Sequence, residues 1–125
     1  MAIKANITVE QTTDFSAEIE LLNQDDVALD LTNYQAWGQM KKNYSSSVAA
    51  TFEVEIMEPR TLGLIRIKLS ETETANLDAG RYLYDVVVWD GIGTFKRAVE
   101  GVCTVNAGIT KRHIDLIDSG EIVPS

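Results

Sequence analysis

Few residues in this sequence are of the types that carry out nucleophilic chemistry. The chain has one cysteine, Cys103, and one histidine, His113. Nucleophilic catalysis needs a nucleophile beside a base that a third group orients. Cys103 is in phase with Val99 and Val105, which is typical of a buried residue, and His113 lies in a C-terminal stretch without a clear strand pattern. The sequence therefore predicts no nucleophilic centre.

Two pairs of acids have the spacing of neighbours on one face of a strand. They are Glu18 with Glu20, and Glu53 with Glu55. Their Cα atoms would lie about 6.6 Å apart, a spacing that is compatible with the paired catalytic carboxylates of a glycosidase. Both pairs alternate with apolar residues, however, so they are predicted to face solvent.

A third acidic group could supply oxygen ligands to calcium. Its members are Asn23, Asp25, Asp26 and Asp30. They lack the spacing of an EF-hand and its terminal bidentate Glu, so an Asx-rich turn is the preferred interpretation. We predict no catalytic, cofactor-binding or metal-binding residue.

The charge of the chain is strongly acidic and unevenly distributed. Nineteen acidic and eleven basic residues give a formal net charge of −8. Residues 5–40 hold seven acids and no Lys or Arg, whereas residues 81–112 hold five basic residues against three acids. Without a basic cluster, neither nucleic acid nor an anionic membrane is an expected partner. The two regions are either solvated faces or complementary patches that set the register between subunits.

The 125 residues suffice for one domain with its own core. We assign residues 1–106 to a β-sandwich domain and residues 107–125 to a C-terminal tail or arm that docks either on its own domain or, by strand addition, on a neighbour. The opening residues lack the apolar stretch of a secretory signal, and a single cysteine fits synthesis in a reducing cytosol.

Alternation of apolar and polar residues recurs along most of the chain. Val, Ile and Thr number eleven each, and such β-branched residues favour strands. Eight strands are predicted, at 3–10, 15–21, 27–31, 34–42, 50–56, 65–69, 81–90 and 94–105. Asp90-Gly91 predicts a tight hairpin between the last two.

The segment between the sixth and seventh strands contains one helix signal. Ser70 and Glu73 form a capping box, which predicts a short helical turn near Ser70–Leu77 that Gly80 closes. The tyrosine that follows, Tyr82, is in the position of the one that closes the E–F corner of immunoglobulin-like domains, with Tyr84 as the alternative. The predicted fold is all-β, an antiparallel immunoglobulin-like β-sandwich of about eight strands. A small closed barrel is the alternative.

The predicted hairpin of residues 81–105 is apolar on both faces. Tyr82, Tyr84, Val86 and Val88 alternate with Leu83, Asp85, Val87 and Trp89, and we expect Phe95 to share a face with Val99, Cys103 and Val105. A sheet normally buries one face and exposes the other, so the second face needs a cover: the tail, a loop or another protein. The predicted interface residues are Leu83, Val87, Trp89 and Val102, with Ile114, Leu116 and Ile117 in the tail.

Several short motifs resemble those of tailed-bacteriophage virion structural proteins, including the N-terminal domains of baseplate upper proteins. The motifs are LDAGRYLYDV at residues 77–86, then Gly91, Arg97, Glu100-Gly101-Val102, Val105 and Thr110-Lys111, and in the first half LDLT at residues 29–32. The resemblance implies an immunoglobulin-like sandwich that assembles into the neck, tail, baseplate or capsid surface of a virion. It implies other virion proteins and further copies of the chain as partners, and no catalytic residues or cofactors.

Exposed aromatic residues leave a second function open, a carbohydrate-binding module for adsorption to a host. Its candidates are Trp37, Tyr44 and Trp89. Trp37 is either an exposed residue or the core tryptophan of a sandwich.

Overall fold

A computed structural model describes residues 3–109 of the chain. The described part is mostly β-structure. The strands are β1 (Ile3–Lys4), β2 (Ile7–Glu10), β3 (Phe15–Glu20), β4 (Gln35–Lys41), β5 (Val48–Ile56), β6 (Leu64–Leu69), β7 (Gly80–Trp89) and β8 (Phe95–Asn106). A 3-10 turn at Arg60–Leu62 precedes β6, and one short helix, α1 (Glu71–Ala75), precedes β7.

The eight strands form one mixed sheet that bends into a half-barrel. The strand order is β1-β8-β7-β4-β5-β6-β3, and β2 also pairs with β8. The bend lies at β5, whose first part pairs with β4 and whose second part pairs with β6. The first half of the sheet therefore contains β1, β2, β8, β7 and β4, and the second half contains β6 and β3.

The all-β prediction is confirmed, but the sheet is not purely antiparallel. β1 and β2 run parallel to β8, with Ile3 opposite Val99 and Ile7 opposite Cys103. Hairpins impose antiparallel pairing on strands that follow each other in sequence. The first and last strands share no such connection, so local sequence does not determine their relative direction.

The predicted first strand is divided in two at Ala5 and Asn6. The Asn6 side chain accepts a hydrogen bond from the Val102 amide at 3.0 Å. The chain lies so close to β8 here that a Cβ on Gly101 would be 2.1 Å from the carbonyl oxygen of Ala5. Glycine at position 101 therefore allows the two strands to approach.

The predicted third strand, residues 27–31, is a loop with a single bridge between Leu22 and Ala28. The side-chain oxygen of Asn23 accepts hydrogen bonds from the amides of Asp25 (2.8 Å) and Val27 (3.1 Å). These bonds make an Asx turn, which supplies the backbone with partners other than a neighbouring strand. We call residues 22–30 the acidic loop.

The corner between β6 and β7 forms as its sequence motifs predict, except that Gly80 does not close the helix: α1 ends at Ala75 with Asn76 as its C-cap, and Gly80 begins β7. Both hydrogen bonds of the capping box are present, since Ser70 accepts from the Glu73 amide and Glu73 accepts from the Ser70 amide. The Tyr82 hydroxyl donates to the Asp78 carbonyl at 2.7 Å. Tyr84, the alternative, instead donates to the carbonyl of Ala5 and so attaches β7 to the N-terminal segment.

The core lies on the concave side of the bent sheet and draws on both halves. Val86, Val88 and Val99 from the first half and Ile65 and Ile67 from the second are fully buried. A row of aromatic rings also crosses the interior, in which the Phe52 ring lies 6.3 Å from Phe15 and 5.8 Å from Tyr84. Burial of these apolar side chains fixes the positions of β4, β7 and β8. It thereby also positions the side chains on the surface of these strands that faces away from the core.

Candidate functional site

The candidate site is the surface of β4, β7 and β8 that faces away from the core, which we call the outer face. Residues opposite one another in the sheet form rows across it. From one end to the other the rows are Gln35–Trp89–Phe95, Trp37–Val87–Arg97, Gln39–Asp85–Glu100 and Lys41–Leu83–Val102. Aromatic side chains occupy one end of the outer face and charged side chains occupy the other.

Phe95 lies on the outer face, contrary to the sequence prediction that placed it with Val99. The pairing of β7 with β8 shifts between Val86 and Val87, so that Val86 is opposite Val99 but Val87 is opposite Arg97. This β-bulge adds one residue to β8, and each added residue moves the following side chains to the other face. As a result the Phe95 side chain is 61% exposed.

Three aromatic side chains pack together at this end, and we call Trp37, Trp89 and Phe95 the aromatic cluster. The Trp89 and Phe95 rings stack at 5.5 Å with an angle of 9° between them, and Trp37 meets Phe95 edge-on at 6.0 Å. Trp37 is thus not a core tryptophan, since it is 38% exposed. The indole N–H of Trp89 is buried and has no hydrogen-bond partner among the described residues.

The other end of the outer face forms a shallow groove of about 530 Å³, which we call the charged groove. Leu83 and Val102 line it together with polar side chains. Arg97 lies between two acids of the lining, 3.1 Å from Asp85 and 3.7 Å from Glu100. Lys4, Asn6, Gln39, Lys41, Asn43 and Tyr44 complete the polar lining.

The structure divides the predicted interface residues between these two regions. Leu83 and Val102 are cross-strand neighbours in the charged groove, whereas Val87 and Trp89 lie at the aromatic end, and all four are half-buried. Ile114, Leu116 and Ile117 lie outside the described residues. Sequence reasoning did not assign Phe95, Lys4 or Lys41 to the site.

Among the residues considered for catalysis, the cysteine is buried and three glutamates lie in ion pairs. Cys103 is fully buried, and burial raises the pKa of its thiol to about 11, which keeps the thiol protonated at neutral pH. Glu18 binds Arg66 at 2.6 Å, and Glu53 and Glu55 lie within 4 Å of Lys68. His113 lies outside the described residues.

Residues 3–109 contain neither a candidate metal-binding cluster nor a candidate membrane-spanning helix. No group of three or more His, Cys, Asp or Glu side chains in this range could hold a metal ion. No helix within the same range is long and apolar enough to cross a membrane.

No family model and no curated protein sequence matches this chain. Among solved structures, it is similar to an endo-fucoidan hydrolase of glycoside hydrolase family 107, with 14% identity and a TM-score of 0.50. That match covers 85% of this chain but 13% of the hydrolase, so it concerns the fold alone. A Lin-41 filamin domain matches with 16% identity and a TM-score of 0.43, over 81% of this chain and 84% of that domain.

Proposed function

We propose that this chain is a non-enzymatic structural protein of a tailed-bacteriophage virion and that it binds other proteins through its outer face. The observation that carries the proposal is the aromatic cluster, which is exposed on the face of the sheet turned away from the core. The phage assignment rests on the sequence motifs at residues 29–32 and between residues 77 and 111. Those of residues 77–105 fall on the Tyr82 corner, β7, β8 and the turn between these strands, whereas residues 29–32 lie in the chain before β4 and residues 110–111 lie outside the described residues.

The aromatic cluster is apolar surface that the fold itself leaves accessible to solvent. Large aromatic side chains grouped on an exposed sheet face mark interaction sites, and tryptophan is among the residues that contribute most to binding. The buried indole N–H of Trp89 adds a donor that lacks a partner within residues 3–109. A partner that covers the aromatic cluster would remove its surface from water and could supply an acceptor to this donor.

We infer further that the two halves of the bent sheet form an immunoglobulin-like sandwich. In the constant-type form of that fold one sheet joins strands A, B, E and D, and the other joins C, F and G. Here β1 and β2, which precede strand B, pair with β8 instead. If β3 is strand B, then β3, β6 and the second part of β5 follow the first order, and β4, β7 and β8 follow the second. The tyrosine corner at Tyr82 supports the same assignment, with β7 as strand F.

The partners we propose are other proteins of the neck, tail, baseplate or capsid surface, and further copies of this chain. With a net charge of −8, the chain is not suited to bind nucleic acid or an anionic membrane. The virion is its proposed location, after synthesis in the host cytoplasm.

The proposal is tested by removing one exposed aromatic side chain and measuring assembly. We expect Phe95→Ser to weaken association at least about tenfold, as for a central aromatic contact, measured by sedimentation velocity over a range of concentrations. Leu62→Ser is the matched control, because Leu62 is also exposed, at 48%, but lies in the 3-10 turn before β6. Association that both variants retain at wild-type strength would contradict the proposal.

A carbohydrate-binding role is the second candidate, and one observation favours it. The Tyr44 ring is 85% exposed and lines the charged groove with the amides of Gln39 and Asn43. An open ring can stack on a sugar while amides bind its hydroxyl groups. Trp37 and Trp89 fit this role less well, because they pack against Phe95. Glycan-array binding that Tyr44→Ala abolishes would favour this candidate, and an array without signal would exclude it.

A further inference from the structure

We infer that copies of this chain associate head to tail, with the tip of the acidic loop of one copy seated in the charged groove of the next. The inference deepens the proposed assembly function and rests on it. It names a second copy as the partner and a specific pair of surfaces as the contact.

The groove offers cations that the described residues leave unpaired. Lys4 and Lys41 line it, and neither ammonium group forms an ion pair within residues 3–109. Lys4 belongs to β1 and Lys41 to β4, so three strand spacings, or about 14 Å across the sheet, separate their strands, and Lys4 is in the row of Gln39, two residues from Lys41 along β4; the two lysines therefore lie at opposite sides of the groove. Counted with Arg97, Asp85 and Glu100, the lining has a net charge of +1 in a chain of −8. It is therefore a place where an acidic segment is attracted rather than repelled.

The acidic loop has the complementary composition. Asp25 and Asp26 are exposed at its tip, beside Val27, which is 58% exposed. The Asx turn on Asn23 holds this tip in one conformation, which lowers the entropy lost on binding. The two carboxylates match the two lysines, and the Val27 side chain matches the apolar lining formed by Leu83 and Val102.

The loop of one copy cannot reach its own groove. The loop is followed after four residues by the start of β4 at Gln35, whereas Lys41 lies at the far end of that strand, six residues or about 20 Å from Gln35. A second copy must therefore supply the loop. Repeated head to tail, with the loop of each copy in the groove of the next, this contact is heterologous and generates a ring or a filament.

Charge reversal tests the contact in the full chain. We expect Lys4→Glu/Lys41→Glu and Asp25→Lys/Asp26→Lys each to weaken self-association about tenfold or more, measured by sedimentation velocity at low salt. An equimolar mixture of the two variants should recover it, because each reversed groove then meets a reversed loop. The recovery also shows that both variants are folded.

The matched control is Arg81→Glu/Lys96→Glu, which changes the net charge by the same amount at exposed residues outside the groove. We expect this control to associate like the wild type. A lysine variant that still self-associates normally, or a mixture that fails to recover, would overturn the head-to-tail contact. If Phe95→Ser alone abolishes assembly, the outer-face proposal stands and the head-to-tail inference fails. If no variant affects assembly, both fail.

Discussion

Substitution of Tyr82 by phenylalanine isolates the hydrogen bond that closes the corner before β7. Tyr82 is 6% exposed, and its hydroxyl donates to the Asp78 carbonyl at 2.7 Å. The ring and its contact with Lys42, whose Nζ lies 4.7 Å from the ring centre, remain in Tyr82→Phe. The loss is therefore that of one partly buried hydrogen bond, about 1 kcal/mol of unfolding free energy. For a domain of this size that corresponds to a fall in Tm of about 3–5 °C.

The assay is urea unfolding followed by circular dichroism, with thermal melting as a second measurement. Tyr44→Phe is the control, since Tyr44 is 85% exposed and should lose nothing when its hydroxyl is removed. We expect Tyr84→Phe to cost more than Tyr82→Phe, about 2 kcal/mol, because Tyr84 is also buried and its acceptor, the Ala5 carbonyl, is near the close contact with β8. If Tyr82→Phe unfolds at the same urea concentration as Tyr44→Phe, the corner hydrogen bond does not stabilise the fold.

Three further perturbations test other parts of the structure. Gly101→Ala places a methyl group 2.1 Å from the Ala5 carbonyl oxygen, so we expect it to detach β1 from β8 and to increase hydrogen exchange at residues 3–6. Burial raises the pKa of Cys103 from 9.0 to about 11 and that of Tyr84 from 10.0 to about 12, so the folded state retains both protons longer than the unfolded chain. The contribution of these two groups to the free energy of unfolding should thus be fully present below pH 9 and be lost as the pH rises towards 12. In Cys103→Val only Tyr84 remains, so the loss should begin at about pH 10. Three backbone N–H groups of the 91–94 loop donate to the Asp90 carboxylate and lower its pKa from 3.8 to about 2. The stabilising effect of the carboxylate should therefore be present above pH 3.8 and be lost as the pH falls through about 2. Urea unfolding at a series of pH values should show this pH dependence in the wild type and not in Asp90→Asn.

Features that depend on neighbouring residues could be predicted from the sequence. The capping box of Ser70 and Glu73 involves four consecutive residues, and the Tyr82 hydroxyl reaches a carbonyl four positions earlier. The alternation along β7 likewise predicts its two faces, because the side-chain period of a strand is two wherever the strand is regular. Tyr82, Tyr84, Val86 and Val88 are all buried, as that period requires.

Features that depend on irregularity or on distant strands could not be predicted in this way. The bulge in β8 has no marker in an alternating pattern, and it moved Phe95 to the outer face and completed the aromatic cluster. The parallel pairing of β1 with β8 joins residues about 96 positions apart. The charged groove depends on that pairing, because Lys4 joins the row of Glu100, Asp85 and Gln39 only when β1 pairs with β8.

The intrinsic fluorescence of the chain tests the central claim most directly. Its two tryptophans, Trp37 and Trp89, both lie in the aromatic cluster of the outer face, so their emission reports on that cluster. The measurement compares emission wavelength and acrylamide quenching in the dissociated and the assembled protein, with the mass of each followed by sedimentation. We predict that assembly shifts the emission to shorter wavelength and reduces the quenching. An increase in mass that leaves both quantities unchanged would show that the chain assembles without covering the aromatic cluster.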